Sequence, residues 1–172
     1  LVANDKILTE YGIYETVECI IVTEVSNAVF LVKLSDTCYL TPTHPVKIEN
    51  NWHHPCTIET PQLYNATEVP FVINILMTNR SSVHVGNTIA ITLAHGIVDE
   101  IASHELYGTE LCVKHLKTMK GWNDGKITMR MKESSQQDVQ RRHFNHVLGV
   151  WGGVRGPAFA QTPQCKSVSW CI

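Results

Sequence analysis

The chain has 172 residues, 44% of them hydrophobic and 17% charged, enough to bury one substantial core. Fourteen Lys and Arg against 16 Asp and Glu leave a net charge of -2, which lacks the basic footprint that phosphate backbones require, so nucleic acid is not expected as a partner. The longest apolar run, 69–77, is broken by Pro70 and Asn74 and falls well short of the roughly 20 residues of a spanning helix, so no membrane span is expected, and no signal peptide is evident.

The chain opens on Leu1 rather than Met and reads as a processed fragment, an excised piece, or the visible part of something longer. From there to residue 93 short β-branched and apolar runs alternate with polar turn clusters, the pattern of a mainly β module. Strands are predicted at 17–23, 29–34, 37–40, 46–48, 68–77, 82–85 and 88–93. Turns at 78–81 and at Gly86-Asn87 would link the last three into a meander, and nothing reads as a parallel βαβ unit. Beyond Leu93 the character changes. A short helical piece is expected at 99–104, and Thr109 can cap a helix over 110–120 with Cys112, Val113, Leu116 and Met119 on one face and Gly121 as terminator. The polar stretch 134–146 is compatible with a second helix, and 149–172, with its Gly and Pro, reads as an irregular tail. The division expected is a β-rich domain with a C-terminal helix over 1–130 and an extension over 131–172.

Six cysteines, Cys19, Cys38, Cys56, Cys112, Cys165 and Cys171, are scattered without a Cys-x-x-Cys pair, which reads as buried thiols in a reducing, cytoplasmic compartment. Two sequons, at Asn65 and Asn79, argue the other way, and the compartment stays open. His53-His54-Pro55-Cys56, with His44, His84, His95 and His104, matches no standard zinc spacing; no metal and no cofactor are expected. Trp122 and Trp151 read as packing anchors.

One turn stands out. Thr41-Pro42-Thr43-His44-Pro45 follows a predicted strand, and its prolines forbid a helix, so a hydroxyl and an imidazole are held on a rigid bend. Such a pair can grip a peptide amide, the His donating a proton to the amide nitrogen while a nearby thiol or hydroxyl attacks the carbonyl. Downstream come a strand over 72–77, a turn into Val83-His84-Val85-Gly86-Asn87, and a strand ending Leu93-Ala94-His95-Gly96. This order resembles the Hint (hedgehog/intein) superfamily of self-cleaving domains. The Thr-Pro-x-His-Pro-Val turn, Asn51-Trp52, Leu93-Ala94-His95-Gly96-Ile97, His104-Glu105-Leu106-Tyr107-Gly108-Thr109 and the helix running into Lys120-Gly121-Trp122-Asn123-Asp124-Gly125 are similar to its Vint branch, found beside von Willebrand A domains; the match covers about 1–130.

The resemblance implies a Hint-type fold of short antiparallel strands with one or two C-terminal helices. It implies self-cleavage of the backbone by an N-to-S acyl shift, with Thr41 and His44 as helpers of the shift and His95 as the His before the C-terminal position. Inteins follow that His with a cyclising Asn; here the residue is Gly96, so one-sided cleavage is the most it implies. The family's nucleophilic Cys lies upstream of the part matching 1–14, and no Cys precedes Cys19, which sits mid-strand, so this chain by itself is expected to be inactive. The competing expectation is a structural or interaction module that reuses the scaffold. Partners implied are proteins: its own flanking segments, neighbouring subunits, or a von Willebrand A domain in the parent chain. An ordinary hydrolase finds no nucleophile motif.

Overall fold

The longest strand organises the molecule. In the computed structural model, which describes residues 1–131, β1 (Lys6–Leu8) leads into β2 (Tyr14–Glu24), and β2 pairs with β1 near its start and with β11 (Lys126–Arg130) over its second half. β8 (Phe71–Met77) pairs antiparallel with β2 from Glu24–Phe71 to Val17–Met77. Between Val17 and Cys19 the register slips, so Glu18 is an extra residue on β2. A bulge inverts the pleat phase. Val17 therefore shares a face with Ile20, packing on Met77 and Val83, while Cys19 and Ile21 face the opposite core of Leu76, Leu93 and Ile127. β2 is thus covered on both faces, which is why its centre reads as an unbroken apolar run.

A second sheet has the order β6 (Asn51–His53), β5 (Val46–Ile48), β10 (Thr88–Ala90), β9 (Val83–Val85); a third has β4 (Cys38–Leu40), β3 (Ala28–Ser35), β7 (Gln62–Asn65). The mainly β expectation holds, as three small sheets rather than one. Gly86, at φ +60°, and Asn87 make the two-residue β9–β10 hairpin as expected. The expected meander does not form, because β8 pairs β2: Arg80 takes φ +58° and turns the chain out of the first sheet before β9 begins. β11 runs parallel to β2, Lys126 opposite Ile20 to Arg130 opposite Glu24, a pairing the sequence pattern did not indicate.

Helix α1 (Glu110–Leu116) starts where expected, Thr109 Oγ1 accepting from the Leu111 N–H at 3.4 Å, and buries Cys112, Val113 and Leu116 on the Cys19 and Ile21 face of β2. It stops at Leu116 rather than at residue 120, because the next N–H groups bond three residues back, Thr118 to His115 and Met119 to Leu116. Gly121 acts later than a helix terminator would, setting the turn into β11 at φ +95°, where a Cβ would stand 2.0 Å from the Lys126 carbonyl oxygen. Trp122 packs against the α1 core, as an anchor should. The expected helical piece at 99–104 is a turn built by Asp99, whose carboxylate accepts from the Ile101 and Ala102 N–H groups. No helix among the described residues is long and apolar enough to cross a membrane. The expected helix at 134–146, the tail at 149–172 and Trp151 lie outside the described residues.

Candidate active site

The Thr41–His44 turn is held by main-chain bonds at several points. The His44 N–H donates to the Thr41 carbonyl at 3.1 Å, closing the turn, and the Cys56 N–H donates to the Pro42 carbonyl at 3.0 Å. His54 is buried and donates from Nδ1 to the Thr43 carbonyl at 3.2 Å, so this histidine is a brace of the turn. Pro45 then enters β5, and the β5–β10 ladder, Ala90 opposite Val46, continues through the Ile91 N–H to the Pro45 carbonyl at 3.2 Å.

That ladder brings the two distant segments together. Nε2 of His44 donates to the Ile91 carbonyl at 3.0 Å, 47 residues away in sequence. The bond fixes the tautomer: Nε2 carries the proton and Nδ1 keeps the lone pair. Burial pushes the His44 pKa down to about 4, with the Ile91 carbonyl opposing the shift.

The strand expected over 88–93 ends at Ala90, because here the chain crosses from the second sheet to the first. Leu93 bridges Leu76 and donates to the Ile75 carbonyl at 2.9 Å. Ala94 then adopts φ +56°, a left-handed conformation costing an alanine about 1 kcal/mol. Its N–H bonds the Tyr107 carbonyl at 2.6 Å and the Gly96 N–H bonds the Gly108 carbonyl at 2.9 Å, so the 107–108 segment clamps His95 between two main-chain bonds. His95 is buried, and its Nδ1 accepts from the Ile97 N–H at 3.0 Å, which places the proton on Nε2. That Nε2 lies against Gly108, where a Cβ would approach to 3.2 Å. Gly96 has φ +69° and open space around its Cβ direction.

The His95 pKa is also pushed down to about 4, first by burial and then by the positive charges that His44 and His104 would carry. His95 therefore lies within electrostatic reach of both His44 and His104. His104 is itself aimed by two main-chain donors, Leu106 and Tyr107, each 3.0 Å from its Nδ1, and its ring lies 4.4 Å from that of Tyr107. In the sequence His104 and Gly108 stand only as parts of a motif, because no local spacing links them to His44. Thr41 contributes its carbonyl to the turn, three residues before His44.

His44 also lines an open cleft of about 640 Å³ together with Leu1, Leu40, Val83, Ala90 and Ile91. A Hint-domain family model, Vint, matches residues 1–144, past the point at which the motifs run out. The chain belongs to the Vint family of Hint domains. No curated protein matches it. In this Vint domain Cys19, Cys38 and Cys112 are buried, burial raises all three thiols, that of Cys112 to about 11, and among the described residues no cysteine lines the His44 cleft. Nor do the described residues hold a cluster of three or more His, Cys, Asp or Glu arranged for a metal.

Proposed function

We propose that this Vint domain is the acyl-shift apparatus of a self-cleaving protein, acting once on its own backbone at a junction presented in the His44 cleft. The observation that carries this reading is a neutral imidazole of fixed tautomer on the wall of a cleft that the first residue, Leu1, also lines. A thiol delivered there by a flanking segment would pass its proton to His44 Nδ1 while sulfur attacks the preceding peptide carbonyl. As the tetrahedral intermediate collapses, the C–N bond breaks and His44 returns the proton to the departing nitrogen, leaving a thioester. Buried imidazolium with a pKa near 4 is a strong enough acid for that second transfer. His95, with its proton on Nε2, is a hydrogen-bond donor of the same neutral cluster. Thr41, in the same turn, is the hydroxyl partner of His44. Gly96 has no side chain to cyclise, so the thioester would be resolved by water or an added nucleophile and cleavage would be one-sided.

The reactant this reading requires is a thiol, and a precursor with a cysteine-bearing segment ahead of Leu1 tests it. Hydroxylamine should trap the thioester as a hydroxamate at that cysteine; a precursor that gives no hydroxamate and stays whole contradicts it. One observation favours a second reading, an interaction module on the same scaffold: Leu1, Tyr39, Phe71 and Ile73 are large, exposed and all on the cleft.

A further inference from the structure

The cleft is too apolar to face water along its whole length. Leu1, Tyr39, Phe71 and Ile73 are 56%, 41%, 49% and 42% exposed, and together they form the kind of contiguous patch that soluble domains cover or use. The described chain leaves the fold beside it. Met131 donates its N–H to the Glu24 carbonyl at 2.9 Å and accepts from Ser26 Oγ at 2.9 Å, which fixes the exit. Its side chain packs on Val25, Val29 and Leu31 in company with Tyr64, Val69 and Val72, and Leu31, Tyr64, Val69 and Val72 also line the cleft. Met131, the last described residue, therefore packs on residues that border the cleft.

Forty-one residues follow Met131. The first twelve are almost wholly polar and end in Arg141-Arg142-His143. Extended, twelve residues reach up to about 40 Å. Next comes Phe144-Asn145-His146-Val147-Leu148-Gly149-Val150-Trp151, in which Phe144, Val147, Leu148 and Trp151 stand at i, i+3, i+4 and i+7, the anchor spacing of a segment laid in an apolar groove. Glu68 on the cleft lining offers a counter-charge to Arg141 and Arg142.

We propose that residues 144–151 of this same chain dock in the apolar cleft beside His44, tethered by the polar linker 132–143. A short tether holds the segment at about millimolar effective concentration, so even weak intrinsic affinity keeps the cleft covered. This inference rests on the cleft and the chain exit and stands whether or not the domain cleaves itself.

Photocrosslinking on the full chain tests it. With the exposed Phe71 replaced by p-benzoyl-phenylalanine, irradiation and peptide mapping should find the crosslink on a peptide within 144–151, and in a mixture of isotopically light and heavy protein the crosslinks should join same-mass peptides. F144D/L148D, two charges in the segment and none in the described fold, should lower the yield at least tenfold with an unchanged urea midpoint. Crosslinks between light and heavy copies, crosslinks to other regions, or a yield unaffected by F144D/L148D would overturn the proposal. Should F144D/L148D shift the urea midpoint, W151R is judged on the same yield and the same criterion.

Discussion

Two neutral histidines, His44 half-buried on the cleft wall and His95 buried, make a definite prediction about acid. His44 and His95 are held to pKa values of about 4 in the fold, whereas the unfolded chain binds protons near the ordinary 6.5. Because the folded values are depressed, both states are neutral above pH 7 and the pair costs nothing there. Below 6.5 the unfolded state takes up protons that the folded state refuses, so stability falls with pH until the folded values are reached near 4. At pH 5 each imidazole withholds about 2 kcal/mol on this reckoning, and about 3–4 kcal/mol for the pair once their mutual repulsion is allowed for. That is a large part of the roughly 5–15 kcal/mol that a domain has. Urea unfolding at pH 7 and pH 5 measures it: the wild-type free energy should drop by about 3–4 kcal/mol, and H44Q should recover about half of that difference, since glutamine does not titrate. An H44Q chain whose pH 7 to pH 5 difference equals that of wild type would refute the reasoning.

Other substitutions separate the parts of the account. G108A places a Cβ 3.0 Å from the His104 carbonyl and 3.2 Å from His95 Nε2, so the His95 ring should move, visible as shifted imidazole resonances, while the urea midpoint falls modestly. G121A forces a Cβ to 2.0 Å from the Lys126 carbonyl at φ +95°; it should cost about 3 kcal/mol or more in unfolding, through strain at the β11 turn. G96N, at φ +69° with open space, should fold with a loss of about 1 kcal/mol or less, since Asn tolerates this region. Arg80 is partly buried, bonds the Met77 carbonyl at 2.5 Å and Glu18 at 2.6 Å, and reaches Glu110 at 2.9 Å. R80A should therefore cost about 1–3 kcal/mol and E110A, on an exposed carboxylate, less than about 1 kcal/mol, both by urea unfolding.

Where local chemistry decides the structure, the sequence was legible. β5 is bracketed by Pro45 before it and by Glu49 and Asn50 in left-handed conformations after it, and its predicted span 46–48 is the observed one. β2 and β3 announce themselves through long β-branched runs. β6 and β7, Asn-Trp-His and Gln-Leu-Tyr-Asn, carry little strand character of their own and are strands because β5 and β3 pair with them. β11 joins β2 across roughly a hundred residues, in parallel, and no pattern within five residues can encode that. Ile91, Thr92 and Leu93 looked like strand because they are buried; they are buried at a crossing between sheets. The turn at His44 was readable from its prolines, and the clamp on His95 was not, because Tyr107 and Gly108 act through main-chain carbonyls that carry no side-chain signature.

The role proposed for His44 is to move the proton in a self-cleavage. Intact mass spectrometry over time, on a precursor carrying a cysteine-bearing segment ahead of Leu1 and incubated with dithiothreitol, compares wild type with H44A. Wild type should give fragments, and H44A should do so at a rate lower by about 10²–10⁴, the usual worth of general acid–base catalysis. Cleavage of H44A at the wild-type rate, or a wild-type precursor that stays whole, would contradict it.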